Sequence, residues 1–174
     1  MDREKSRGSN THIGKKDFKK RAIKRDLGDH FIILKGRIHQ ADINIINIYA
    51  PNIGAPKYIR KIMEDFKKDI DSNTLILGDF NNQLTEMDRS SKQNINMDIV
   101  ALNNTLDQKD LTDIYRTFHP KEAKYAFFSN AHGIFSKIDH TIGHRTGLNK
   151  FKKTEIISSI FSGHRSLKQE SNLK

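Results

Sequence analysis

The sequence predicts an α/β or α+β domain. Short aliphatic runs of strand length recur along the chain, and two stretches between them carry apolar residues at helical spacing. With 174 residues and no internal repeat, the chain is long enough for one domain with a sizeable core.

The elements follow in order. Residues 1–16 are polar and aperiodic and read as a basic disordered tail. "KKDFKKRAIKRD" (15–26) is a basic run whose default reading is a solvated face. "HFIILKGRIHQADINIINIYAP" (30–51) predicts two strands joined by a polar turn, with imperfect alternation at Ile43, Ile45 and Ile48 and a stop at Pro51. A helix is predicted over 56–70: Pro56 suits a first turn, and Ile59, Ile62, Met63, Phe66 and Ile70 form one stripe. A turn at "DSN" (71–73) leads into a short apolar strand, Leu75 to Gly78. A second helix is predicted over 95–106 from Ile95, Ile99, Leu102 and Leu106. Strands are predicted at 125–129, 134–143 and 154–162.

Composition narrows the function classes. There is no cysteine, which excludes disulfides and thiolate metal sites and suits a reducing compartment. The N-terminal ten residues lack an apolar core, which argues against a secretory signal, and "FIIL" (31–34) is too short to span a bilayer. An intracellular protein without membrane contact is therefore expected. The net charge of +10 is unevenly laid out. Residues 1–40 hold 12 basic and 5 acidic side chains, residues 41–115 hold 8 and 12, and residues 116–174 hold 11 and 4. An acidic middle between basic ends suits a cation-using site flanked by polyanion-binding surface, and equally a soluble basic chain without that role.

Three short stretches can carry chemistry. "GDFNN" (78–82) ends an apolar strand, and alternation puts Asp79 and Asn81 on one side with Phe80 on the other. A carboxylate and a carboxamide there can orient water and hold a phosphate oxygen, or simply form an Asx turn. In "SKIDH" (136–140), Ile138, His140 and Ile142 share one parity and Asp139 faces the opposite side. A mid-strand carboxylate needs a partner, either a lysine or a site. His140 and His144 stand four apart, but no HExxH helix or third ligand accompanies them, so zinc is rejected. "FSGHRS" (161–166) places His164 just after the last strand, where Asp139 could fix its tautomer. Tyr49, ending another strand, would add a phenol donor to a phosphate.

Taken together, "NIYAPN" (47–52), "LILGDFNN" (75–82), "DIYRTFHP" (113–120), "YAFFS" (125–129) and "SKIDH" (136–140) resemble the endonuclease domain of mammalian LINE-type retrotransposons. That domain belongs to the endonuclease/exonuclease/phosphatase superfamily. The resemblance runs from Asp17 to Lys168, in order and at consistent spacing. It implies a four-layer, DNase-like α/β sandwich over 17–170, followed by a short tail over 171–174. It implies Mg²⁺-dependent nicking of one DNA strand, in the nucleus if the protein functions, with DNA held through the basic ends. Tyr49 would contact the scissile phosphate, Asp79 would orient the attacking water and Asn81 would hold the phosphate. Asp139 would orient His164, which would contact or protonate the phosphoryl oxygens.

The departures from the family pattern matter as much. The resemblance begins beyond the family's opening strands, which carry an active-site Asn and a metal-binding Glu, so a domain lacking its opening part is expected. The family's Ser-Asp-His is Ser162-Gly163-His164 here, and a hydroxyl residue near the DNA is Ala126. No reverse transcriptase follows in this chain. With both metal-proximal carboxylates absent, Mg²⁺ binding is expected to be weak and catalysis impaired. A non-catalytic nucleic-acid binder and a product without selected function are the alternatives.

Overall fold

A computed structural model describes residues 4–5, 10–11, 18–28, 30–38, 40–90, 95–122, 127–129, 134–157 and 166–171. Twelve strands, three α-helices and two short 3-10 helices occur among them. Strands β1 (Glu4–Lys5) and β2 (Asn10–Thr11) pair with each other, so part of the stretch read as a disordered tail carries a small ladder. The basic run is a strand, β3 (Phe18–Arg25), exposed over seven of its eight residues. It is a solvated surface, as its charge predicts, but one hydrogen-bonded to β4 (Phe31–Ile38). Next come β5 (Ala41–Tyr49), α1 (Ala55–Asp65), β6 (Thr74–Asp79), α2 (Met97–Gln108), β7 (Leu111–Asp113) and α3 (Ile114–Phe118). The remaining strands are β8 (Phe127–Ser129), β9 (Ile134–Ser136), β10 (Asp139–His144), β11 (Phe151–Ile157) and β12 (Ser166–Ser171).

Six strands form one mixed sheet in the order β3-β4-β5-β6-β10-β7. Strands β5 and β6 run parallel with α1 as their crossover, and the other neighbours are antiparallel. Three two-stranded ladders, β1-β2, β8-β9 and β11-β12, complete the described sheet structure. This is an α/β fold.

The sheet is covered on both faces, which explains why alternation in the sequence is imperfect. Ile46 and Ile48 of β5 join Ile33, Ile76 and Ile142 in a core completed by Ile59, Ile62 and Met63 of α1 and Leu102 and Leu106 of α2. Ile43 and Ile45 face the other way, with Leu75 and Ile114. A strand buried on both faces reads as a continuous aliphatic run. Helix α1 begins at Ala55 with Pro56 in its first turn, as predicted, and its regular turns end at Asp65, short of Ile70. Helix α2 is capped by Asn96, whose side chain accepts the Ile99 amide at 2.9 Å. At the predicted turn, Asp71 accepts the Asn73 amide at 2.8 Å.

Two predicted strands differ in detail. The run 134–143 is two strands, broken at Lys137 and Ile138, where the Lys137 amide leaves the ladder and donates to the Asp88 carbonyl at 2.6 Å. The last predicted strand begins earlier, at Phe151. Among the described residues, no helix is long and apolar enough to cross a membrane.

Candidate functional site

The sheet brings together residues that lie far apart in the chain. Tyr49 at the end of β5 is in register with Asp79 at the end of β6, and Asp79 is in register with Asp139 at the start of β10. Neighbouring strands are about 4.8 Å apart, so the three form one row across the sheet. By parity they continue the face of Ile43, Ile45 and Leu75, opposite α1 and α2. Asp79 is buried, while Tyr49 and Asp139 are half-buried.

Asn81 sits just beyond this row in a tight turn with φ 48°, a left-handed conformation that Asn tolerates better than most residues. Its amide donates to Asp79 Oδ1 at 2.9 Å, and its side-chain Nδ2 donates to the Ala50 carbonyl at 2.5 Å. The Ala50 amide returns to the Asp79 carbonyl at 2.8 Å. The ends of β5 and β6 are thus laced together around Asp79. Asn81 lies beside Asp79 through this turn, not through strand alternation; Phe80 turns into the opposite core, as predicted. Gly78, with φ 130°, permits the close approach: a Cβ there would lie 2.1 Å from the Ile48 carbonyl oxygen.

Asp139 is the electrostatic centre of the site. Burial, reinforced by the charge of Asp79 beside it, pushes its carboxyl up to about 7, against the pull of His140 and Lys137. Its Oδ2 is buried and has no hydrogen-bond partner among the described residues. The lysine partner that a mid-strand carboxylate could have found is engaged elsewhere.

That lysine belongs to a second cluster on the helix-facing side of the sheet. Lys137 is fully buried, and its Nζ donates to Asp113 Oδ2 at 2.5 Å. His140 Nδ1 lies 2.8 Å from the same carboxylate oxygen, and His140 Nε2 donates to the Asn82 carbonyl at 3.0 Å. Burial opposes the charge on Asp113, but Lys137 and His140 outweigh it and hold the carboxyl well below the usual range. Next to it, Arg116 pairs with the buried Asp88 at 2.6 Å. Both ring nitrogens of His140 are therefore used inside the protein, and His144 Nδ1 meets Thr146 Oγ1 at 2.7 Å.

Of the sequence-predicted residues, the structure brings Tyr49, Asp79, Asn81 and Asp139 to one end of the sheet. His164, Gly163 and Ala126 lie outside the described residues. Sequence reading missed Asp113, Lys137 and His140 as a unit. The available signal was the charge of Asp113 and Lys137 in otherwise apolar surroundings, which demands partners.

No family model matches the chain. Solved structures do. An AP endonuclease from Archaeoglobus fulgidus superposes with a TM-score of 0.70 at 16% identity, over 90% of this chain and 72% of that one. The endonuclease domain of TRAS1, a telomere-specific non-LTR retrotransposon, gives 0.70 at 12% identity, over 88% of this chain and 69% of that one. The 3′ phosphatase NExo from Neisseria, solved with a product DNA hairpin, gives 0.62 at 18% identity; the chain spans 64% of its length. The chain therefore has the fold of AP endonucleases and of retrotransposon endonucleases, a DNase-like α/β fold.

Proposed function

We propose that this chain is an endonuclease domain of the LINE retrotransposon type, built to nick one DNA strand and catalytically impaired in its present form. The observation that carries the reading is the row Tyr49–Asp79–Asp139, joined by Asn81, at one end of three adjacent strands. Phosphodiester hydrolysis needs a water oriented toward phosphorus and donors for the charge on the phosphoryl oxygens. Asp79, fixed by the Asn81 amide, is the carboxylate that would hold the water. The Tyr49 hydroxyl and the second N–H of the Asn81 carboxamide would donate to the phosphate. As the water oxygen bonds to phosphorus it gives a proton to Asp79, the bond to the departing strand end breaks, and the departing oxygen takes up a proton from solvent. His164, oriented through the open Oδ2 of Asp139, would contact or protonate the phosphoryl oxygens.

Impairment is the second half of the proposal. Among the described residues, no three His, Asp or Glu side chains converge to hold a metal ion. The two carboxylates that do meet, Asp79 and Asp139, are assigned here to the water and to His164, and Gly163 offers no side-chain oxygen. With no further carboxylate beside them among the described residues, weak Mg²⁺ binding is the expectation.

Supercoiled plasmid incubated with the chain and Mg²⁺, with EDTA and Asp79→Ala as controls, tests both halves. Cleavage no faster than in the Asp79→Ala control supports impairment. Mg²⁺-dependent nicking that the substitution abolishes would overturn impairment and keep the endonuclease reading. Mg²⁺-dependent nicking that survives the substitution would overturn the assignment of Asp79. A second reading, a nucleic-acid binder without catalysis, is favoured by the exposed β3, which presents Lys19, Lys20, Arg21, Lys24 and Arg25.

A further inference from the structure

The helix-facing cluster at the same end of the sheet is too elaborate for a site that acts only from the other face. His140 is almost wholly buried and stands in register with Gly78, one position from the acidic row. Its ring lies 5.3 Å from that of Phe80, and its Nε2 is 3.0 Å from the Asn82 carbonyl oxygen. The residues it touches therefore bracket Asn81. Phe80 is also held on the backbone side, where its amide donates to the Ile138 carbonyl at 2.8 Å.

We infer that His140 is a positioning residue for the Asp79–Asn82 turn, acting through the sheet on the groups assigned above to water and phosphate. The inference rests on the proposed reading of that turn as the reactive end of the site. A carbonyl oxygen can only accept, so the His140 Nε2 carries a proton whether the ring is neutral or charged. Nδ1 is satisfied in both states. The Lys137 ammonium, 3.0 Å away, donates to it when the ring is neutral, and Asp113, 2.8 Å away, accepts from it when the ring is charged. The hydrogen bond to Asn82 is thus insulated from the protonation state of the ring. Lys137 and Asp113 supply this insulation: Lys137 is fully buried, the Asp113 side chain is largely so, and each also binds the other. What the bond adds is a restraint on a turn that pivots on one left-handed residue, Asn81, a conformation that Asn adopts only occasionally. Loosening the Asn82 carbonyl frees Asn81 to leave both Asp79 Oδ1 and the Ala50 carbonyl.

Two substitutions separate this role from general support of the core. His140→Asn places a polar group near the Nδ1 position and removes the Nε2 donor. His140→Gln places an amide N–H near the Nε2 position and keeps the donor. Amide hydrogen exchange is read at Asn81–Gln83 and, as reference, at Ile46 and Ile76 in the sheet. The expected result is exchange about tenfold faster in the turn of His140→Asn, unchanged reference amides, and near-parental turn protection in His140→Gln. Turn protection unchanged in His140→Asn, acceleration spread equally through the sheet, or His140→Gln no better than His140→Asn would each overturn the inference. Should His140→Asn fail to fold, the imidazole nitrogen resonances of the parent chain are read in its place. A proton held on Nε2, with a coupling across the bond to the Asn82 carbonyl, supports the role, and an Nε2 without a proton overturns it. The readout needs no nicking activity, so a negative plasmid assay leaves this result standing.

Discussion

Asp139 shows how one residue ties stability to the site. Its ordinary carboxyl value is 3.8, and in the folded chain burial and Asp79 push it up to about 7. Between those limits the folded protein keeps a proton that the unfolded chain has lost. Stability contributed here is therefore present at low pH, declines as pH rises from about 4 to about 7, and levels off above. At about 1.4 kcal/mol per tenfold of acidity, the decline is at most about 4 kcal/mol. Asp113 has the opposite sign: Lys137 and His140 overcome the cost of its burial and lower it, so its contribution is present above about 4 and is lost as pH falls further. The stability that these two carboxyls contribute together should peak near pH 4. Asp139→Asn should melt higher than the parent at pH 8 and close to it at pH 4.5, a difference that circular dichroism melts across that range would show. A constant offset between the two would mean that Asp139 titrates normally. The residue also marks the reach of sequence reading. Parity correctly put Asp139 and His140 on opposite faces, but nothing in "SKIDH" said that Lys137 would choose Asp113 over Asp139.

Among the elements, β6 carries the tightest constraint. Gly78 has φ 130°, and a methyl group there would meet the Ile48 carbonyl at 2.1 Å and Asn47 Oδ1 at 2.6 Å. Gly78→Ala should therefore cost about 2–4 kcal/mol, measured by urea unfolding at pH 6, because both backbone strain and overlap are imposed at once. A loss below 0.5 kcal/mol would show that the β5–β6 packing yields easily. Strand β3 shows a different device. It is an edge strand, and edges invite pairing with other chains. Five cations in eight residues oppose that, since a second copy paired along this edge would bring like charges together. The two helices and most strands were legible because their apolar spacing is local. Strand β3 was not, because a strand exposed on nearly every side chain has no apolar period to read. The break at Lys137–Ile138 was equally hidden, since it is caused by the Asp88 carbonyl, far away in the chain.

At the scale of the whole molecule, charge is the property that reaches solvent. Much of it is locally spent: Arg21 and Arg37 share Asp42, and Lys35 binds Asp69. Lys19 and Lys20 stand on the exposed β3 within a chain of net charge +10. Binding to DNA through this surface should weaken steeply with salt, and replacing both lysines by Thr should reduce the log–log slope by about 0.9 for each phosphate no longer neutralised. Fluorescence anisotropy of a labelled duplex between 50 and 200 mM salt, values chosen to span about a decade or more of affinity, checks this. Binding that ignores salt would remove the electrostatic reading.

By itself the sequence determined the fold class, the two amphipathic helices, the aliphatic runs of the central strands and the types of residue at the candidate site. Each of these depends on local composition and periodicity, which the chain carries wherever it folds. Only the tertiary structure decided the register that sets Tyr49, Asp79 and Asp139 in one row, the left-handed turn at Asn81 and the partner choices of Lys137 and His140. Those depend on which strands become neighbours. Residues up to 90 positions apart, Tyr49 and Asp139 among them, acquire their chemistry from a sheet order that no local pattern encodes.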